Sequence, residues 1–338
     1  MKRATKVLLI IIAVPLTLAL VVLGIRFVNG LRYPAPANAV DDPKDPAQYA
    51  LTQPGMTVER VEGDYLSGFH LRPDTTTQQG LVVTWGGSDG GPDYDRAVRL
   101  AGQGYEVLSL FFWGQPNQTP TLANVPLDFF DEVLAWRAEH VPHGPLTVIG
   151  TSRGAELALM LQTKYAEIDN LVVFTPTEYA WQGLDFRVEQ PSWTWRGEPV
   201  PYVSFRHSDP GATAAMFGAM LLNTPIPLRA QHETAVANDP NAESARIPLV
   251  FTGNLLAFAG DDDAMWPGEI AARSWGDAAP PRTEAHIYPG AGHMFGDISG
   301  WGGGYALGGD QTANAAALQA SSEVLNTRLA QWHPATNS

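Results

Sequence analysis

Residues 146–161 constrain the chain more than any other stretch. An apolar, β-branched run from Leu146 to Ile149 meets Gly150-Thr151-Ser152-Arg153-Gly154 and continues into Ala155-Glu156-Leu157-Ala158-Leu159-Met160-Leu161. A short, largely apolar and β-branched run closed by a glycine reads as a buried strand, and the residues after the turn are strong helix formers. In this setting a Gly-x-Ser-x-Gly turn lifts the serine hydroxyl above the sheet, because its glycines let the backbone bend tightly. The helix that follows aims backbone N–H groups and the positive end of its dipole at any oxyanion formed there. Ser152 is thus the candidate nucleophile, its alternative reading being a helix N-cap. Gly86-Gly87-Ser88-Asp89-Gly90 fits the same pattern, but Gly91 and Pro92 follow at once and break any helix behind Ser88. Context favours Ser152.

Short apolar runs alternate with helical ones on both sides of this turn. Residues 56–61 and 65–71 flank Glu62-Gly63-Asp64 as a hairpin, and Leu81–Trp85 and Glu106–Phe111 read as buried strands around a helix at 93–101. A helix over 127–138 precedes the turn, and a strand at 171–174 follows it. The rhythm resumes with a strand at 254–259, a helix from about 267 to 275, a strand at 285–288, a glycine-rich loop at 300–309 and a terminal helix at 310–332. Such alternation predicts an α/β domain over 56–333, with a mostly parallel sheet covered by helices on both faces. Residues 175–248 break the rhythm with many Pro and Trp and few regular runs, as expected of an inserted cap. Their aromatics, including Trp193 and Trp195, fit either an acyl pocket or packing of the cap onto the domain.

The N-terminus indicates a membrane. Lys2, Arg3 and Lys6 precede residues 7–25, an uncharged run of 19 residues interrupted only by Pro15 and Thr17. That length can cross a bilayer as one transmembrane helix, and the leading positive charges favour a cytoplasmic start with the rest of the chain outside. A cleaved signal peptide is the alternative, with small residues at Ala37-Asn38-Ala39. Residues 1–32 are read as this anchor and residues 33–55, rich in Pro, Ala and Asp, as a linker.

Composition excludes several chemistries. The chain has no Cys, so disulfides, thiolate zinc sites and a cysteine nucleophile are ruled out. The net charge is −14 although residues 1–32 carry five basic and no acidic side chains, so the remainder is strongly acidic. Nucleic acid is not an expected partner, and the same field weighs against the phosphates of coenzyme A thioesters. The glycines at 86–91 lack the spacing of a dinucleotide loop. No cofactor or metal is expected, and composition leaves the oligomeric state open.

A nucleophilic serine needs a base within hydrogen-bond reach and an acid to steer that base. In an elbow fold these follow in the order Ser, acid, His, each just beyond a strand. His293 meets the requirement best of the eight histidines, since it lies in Pro289-Gly290-Ala291-Gly292-His293 directly after a late strand; its alternative is a solvated loop histidine. Gly260-Asp261-Asp262-Asp263 supplies the acid. Asp263 is preferred to Asp262 for its distance from Gly260, although three adjacent aspartates also suit a solvated turn. The oxyanion donors are expected from the backbone of Arg153 and from Gly87 or its neighbour Ser88.

With these motifs in order, the chain resembles the C-terminal catalytic domain shared by acyl-CoA thioesterases and bile acid-CoA:amino acid N-acyltransferase, within the α/β-hydrolase superfamily. The resemblance covers residues 56–332 and rests on Gly86 to Gly91, Gly150 to Leu157, Gly260 to Pro267 and Tyr288 to His293. It implies an α/β-hydrolase fold, Ser152, Asp263 and His293 as the triad, and cleavage of an acyl thioester or ester of small-molecule size through an acyl-enzyme. Where animal members carry an immunoglobulin-like sandwich this chain has its apolar segment, and the acyltransferase uses Cys where this chain has Ser152. A serine favours water as acceptor. Transfer to an amine or alcohol, and a non-catalytic lipid-binding role, are the rival readings.

Overall fold

The computed structural model describes residues 2–34, 41–185 and 187–336. Ala37-Asn38-Ala39 lies outside them. The first helix, α1 (Lys2–Arg32), is continuous through Pro15, and apart from Val22 its large apolar side chains from Val14 to Leu31 are exposed.

Nine strands form the central sheet: β1 (Thr52–Gln53), β2 (Met56–Glu62), β3 (Ser67–Pro73), β4 (Leu81–Trp85), β5 (Glu106–Phe111), β6 (Leu146–Thr151), β7 (Asn170–Phe174), β8 (Asn254–Gly260) and β9 (Thr283–Tyr288). Their spatial order is β1-β2-β3-β5-β4-β6-β7-β8-β9. The first three run antiparallel, and the six from β5 to β9 in that order are parallel. A parallel sheet must be covered on both faces, and side-chain alternation supplies the cover. Leu81, Val83 and Trp85 with Leu146 and Val148 feed one face, under α3 (Phe130–His140), α4 (Arg153–Leu161) and α7 (Gly268–Asp277). Val82, Ile149, Val172 and Phe258 feed the other, under α2 (Tyr94–Ala101) and α8 (Gln311–Trp332). The elbow therefore emerges from β6, near the middle of the parallel strands, where both neighbours hold its register.

Two stretches depart from the sequence reading. The expected linker is in part folded: the Tyr49 ring packs against Phe69, Tyr94 and Phe111 at centroid distances of 5.5, 5.2 and 6.0 Å, and the Gln115 amide donates to the Lys44 carbonyl at 2.7 Å. One aromatic in a Pro- and Asp-rich run is enough to fasten it without any periodicity. Between β7 and β8 the chain holds two helices, α5 (Pro210–Leu222) and α6 (Arg229–Asn238), where few regular runs were expected. The start of α5 has a local cause: the Asp209 carboxylate accepts from the N–H groups of Gly211 and Ala212, and Pro210 fits the first turn.

Candidate active site

The backbone at Ser152 is strained in the way an elbow requires. Ser152 has φ 55° and ψ −118°, a region that costs a non-glycine residue about 1–3 kcal/mol. A side chain on Gly150 would strike the Gly154 carbonyl, and one on Gly154 would strike the Gly86 carbonyl, so both positions exclude Cβ atoms. The turn is fastened by hydrogen bonds from Ser152 N–H to the Phe174 carbonyl (2.9 Å) and from the Trp85 indole to the Gly154 carbonyl (2.7 Å).

Ser152, His293 and Asp263, 141 and 30 residues apart along the chain, meet above the sheet. His293 Nε2 lies 2.9 Å from Ser152 Oγ, and Nδ1 lies 2.8 Å from Asp263 Oδ2. The carboxylate oxygen accepts, which places the ring hydrogen on Nδ1 and leaves the Nε2 lone pair for the serine hydroxyl. All three are buried, at 7%, 3% and 1% exposure. The other Asp263 oxygen accepts from the N–H groups of Met265 and Trp266 at 2.8 and 3.2 Å, which fixes the carboxylate plane. The neighbouring aspartates act elsewhere. Asp261 accepts from Gly290 N–H at 2.6 Å and Asp262 from Gly309 N–H at 2.9 Å, so each ties a different loop to the end of β8.

The loop bearing His293 is held by groups that sequence reasoning missed. Its N–H donates to the Leu307 carbonyl at 2.7 Å, and the side chain of Asn314, fully buried on α8, accepts from Gly292 N–H at 2.8 Å. The glycine-rich loop supplies bridges from Gly308 to Asp263 and from Gly309 to Ala291, so it is a brace between acid and base. Trp266 stacks edge-on to the imidazole at 5.4 Å.

Two of the expected oxyanion donors differ in availability. Arg153 N–H opens α4 and has no acceptor among the described residues. Gly87 lies against the nucleophile, since a Cβ there would sit 3.7 Å from Ser152 Oγ, but its N–H is directed at Asp89 Oδ1 at 3.2 Å. Ser88 N–H has no acceptor among the described residues, so within the Gly87–Ser88 pair it is the donor left over. No group of three or more His, Cys, Asp or Glu side chains suited to a metal occurs among the described residues.

The side chain of Arg153, given no role in the sequence reading, ties the elbow to residues 182–192 between β7 and β8. Its guanidinium lies 2.6 Å from Glu156 Oε2 and donates to the Gln182 carbonyl at 2.9 Å and to Ser192 Oγ. Glu156 Oε1 accepts from Trp181 N–H (2.8 Å) and from the Trp193 indole (2.6 Å). Burial pushes the Glu156 carboxyl up and the Arg153 guanidinium down, each opposed by the charge of the other. The only available signal was a charged pair three apart on an otherwise apolar helix. Trp193, fully buried, packs into the main core, whereas Trp181, also buried, packs in a smaller cluster with Trp266.

Behind Trp266 lies a cavity of about 220 Å³ lined by Tyr179, Trp181, His232 and Ile270 among others. His232 is surrounded by the edges of Trp181, Phe205 and Trp266, and its Nδ1–H donates to the Leu228 carbonyl at 3.0 Å. Burial depresses its pKa from 6.5 to about 4, with the nearby Arg153 charge lowering it and Asp263 raising it. The unfolded chain therefore binds this proton at a higher pH than the native one. Stability is complete above about pH 6.5 and is lost as pH falls toward 4, by up to about 3 kcal/mol. Urea unfolding across pH 7.5–4 should show this slope in the native chain and a flatter one in His232→Phe.

No family profile matches the chain. Its sequence is 26% identical to human acyl-coenzyme A thioesterase 1 over 253 residues, 72% of this chain and 55% of that protein. It is 25% identical to mouse acyl-coenzyme A thioesterase 5 over 242 residues, 69% of this chain and 52% of that protein. The chain spans about half the length of the curated relatives it matches. Among solved structures, carboxyl esterase 2 of Tuber melanosporum superposes with a TM-score of 0.52 at 14% identity, covering 89% of this chain and 90% of that one. The chain is a distant homologue of the acyl-coenzyme A thioesterases, and its fold is that of an α/β-hydrolase.

Proposed function

We propose that the protein is a membrane-anchored serine hydrolase that cleaves a carboxylic ester or thioester through an acyl-enzyme. The observation that carries this reading is the buried relay in which His293 lies 2.9 Å from Ser152 Oγ and 2.8 Å from Asp263. His293 Nε2 takes the Ser152 proton as Oγ attacks the acyl carbonyl, while Asp263 keeps the ring oriented and balances its new charge. The oxyanion is met by Arg153 N–H and by the Gly87–Ser88 turn, with Ser88 N–H as the second donor. Collapse breaks the acyl bond, and His293 returns its proton to the departing alcohol or thiol. A water deprotonated by the same imidazole then releases the acid and restores Ser152.

Distant homology to acyl-coenzyme A thioesterases supports acyl ester chemistry, and the acidic domain favours leaving groups less anionic than coenzyme A. The exposed apolar segment Ala13–Arg32, of mean hydropathy 1.9, supports a single span, and Lys2, Arg3 and Lys6 ahead of it support an extracytoplasmic domain.

The test offers esters, thioesters and amides of graded acyl length to the full chain in detergent micelles, with and without amine and alcohol acceptors. Free acid from esters and thioesters is expected. Conjugates in place of acid would make the protein an acyltransferase; no turnover of any substrate would leave only a binding role.

A further inference from the structure

The apolar helix α5 has no role in the relay, yet most of its surface is uncovered. From Pro210 to Leu222 it carries no ionisable side chain, and Phe217, Met220 and Leu221 are 59%, 51% and 57% exposed. Soluble surfaces seldom leave such a helix bare. Its neighbour explains it. Val22, Arg26 and Asn29, one stripe of α1, are half-buried, and α1 packs on α5. The Arg26 guanidinium donates to the carbonyls of Met220 and Leu221, both at 2.8 Å, and the Asn29 amide donates to that of Leu222 at 2.8 Å. The Asn223 amide returns a bond to the Arg26 carbonyl at 3.3 Å. The last carbonyls of α5, which a helix cannot satisfy internally, are thus capped by the end of the apolar helix. Val22 belongs to the apolar run itself, so this stripe carries α5 to the depth at which that run ends.

We propose that α5 docks on the lipid bilayer beside α1, with Phe217, Met220 and Leu221 immersed about 5–10 Å into the boundary between headgroups and acyl chains. Arg26 and Asn29 sit at the polar edge of the span, and the Tyr33 ring packs edge-on against Trp301 at 5.2 Å, an aromatic pair suited to that interface. A protein partner at this face would have to compete with the lipid that solvates α1 a few ångströms away. Through α6 the docked helix lies close to the relay: Gln231 contacts Met216 at 3.3 Å, and Arg229 donates to the Asp263 carbonyl at 2.9 Å.

The inference rests on α1 spanning the membrane, and the experiment separates the two. Because the chain has no Cys, single cysteines in the full chain can carry an environment-sensitive nitrobenzoxadiazole label: Phe217→Cys on α5, Leu18→Cys in the span and Glu139→Cys, at an exposed position of α3, as the aqueous reference. In phosphatidylcholine proteoliposomes containing doxyl-labelled lipid, the labels at 18 and 217 should each lose emission about two-fold or more, and the label at 139 should not. Quenching at 18 without quenching at 217 overturns the docking and leaves the span. Quenching at neither position overturns both. Phe217 is exposed, so its replacement leaves the packing intact; Leu221→Cys repeats the measurement one turn on.

Discussion

Ser152→Ala is expected to lower turnover of an activated ester by about 10⁴- to 10⁶-fold with no loss of folded protein. The size of the effect follows from what is removed. Without Oγ there is no acyl-enzyme, and His293 is left with no hydroxyl to deprotonate, so only binding and the backbone donors remain. Alanine also relaxes nothing the fold depends on, because the elbow is held by backbone and indole hydrogen bonds rather than by the serine side chain. Steady-state rates with equal urea midpoints for the two proteins check the prediction. Retained turnover would move the nucleophile elsewhere, with Ser88 the first place to look.

Glu156→Gln is expected to destabilise the protein by about 3–5 kcal/mol, the usual cost of leaving one buried charge without its partner. Glutamine still offers an oxygen to Trp181 N–H and the Trp193 indole, so the loss isolates the Arg153 charge from the hydrogen bonds around it. Arg153→Met in the same chain should recover much of the stability, because the pair then leaves together. Urea denaturation of the two single variants and the double variant reads this coupling. If Glu156→Gln costs less than about 1 kcal/mol, the ion pair is not what fastens the elbow to the segment bearing Trp181 and Trp193.

The legibility of the fold follows from how local each cause is. The strand-turn-helix at 146–161 could be read because β6 needs only its apolar run, the turn only its two glycines and α4 only its propensities. β6, β7, β8 and β9 are paired in parallel, which brings their C-terminal ends, and so Ser152, Asp263 and His293, to one edge of the sheet. Asp263 could be preferred but not separated chemically from Asp261 and Asp262, since only folding reveals that those two are committed to Gly290 and Gly309. Other features are non-local. Asn314 is an ordinary polar residue on α8 until Gly292 comes to lie beside it, and nothing in residues 300–309 announces a brace between Asp263 and Ala291. In α5 apolar residues lie all round the helix and erase the amphipathic period, so the sequence shows composition where the structure shows a helix.

The central claim is that Ser152 is an activated nucleophile, and the most direct measurement is intact-mass and peptide mapping after treatment with a fluorophosphonate. The expected result is one phosphonyl group per chain, carried on Ser152, with labelling at least about 100-fold slower in His293→Ala, where the base is gone. An adduct on Ser88, or none at all on protein that still releases acid from esters, would contradict it.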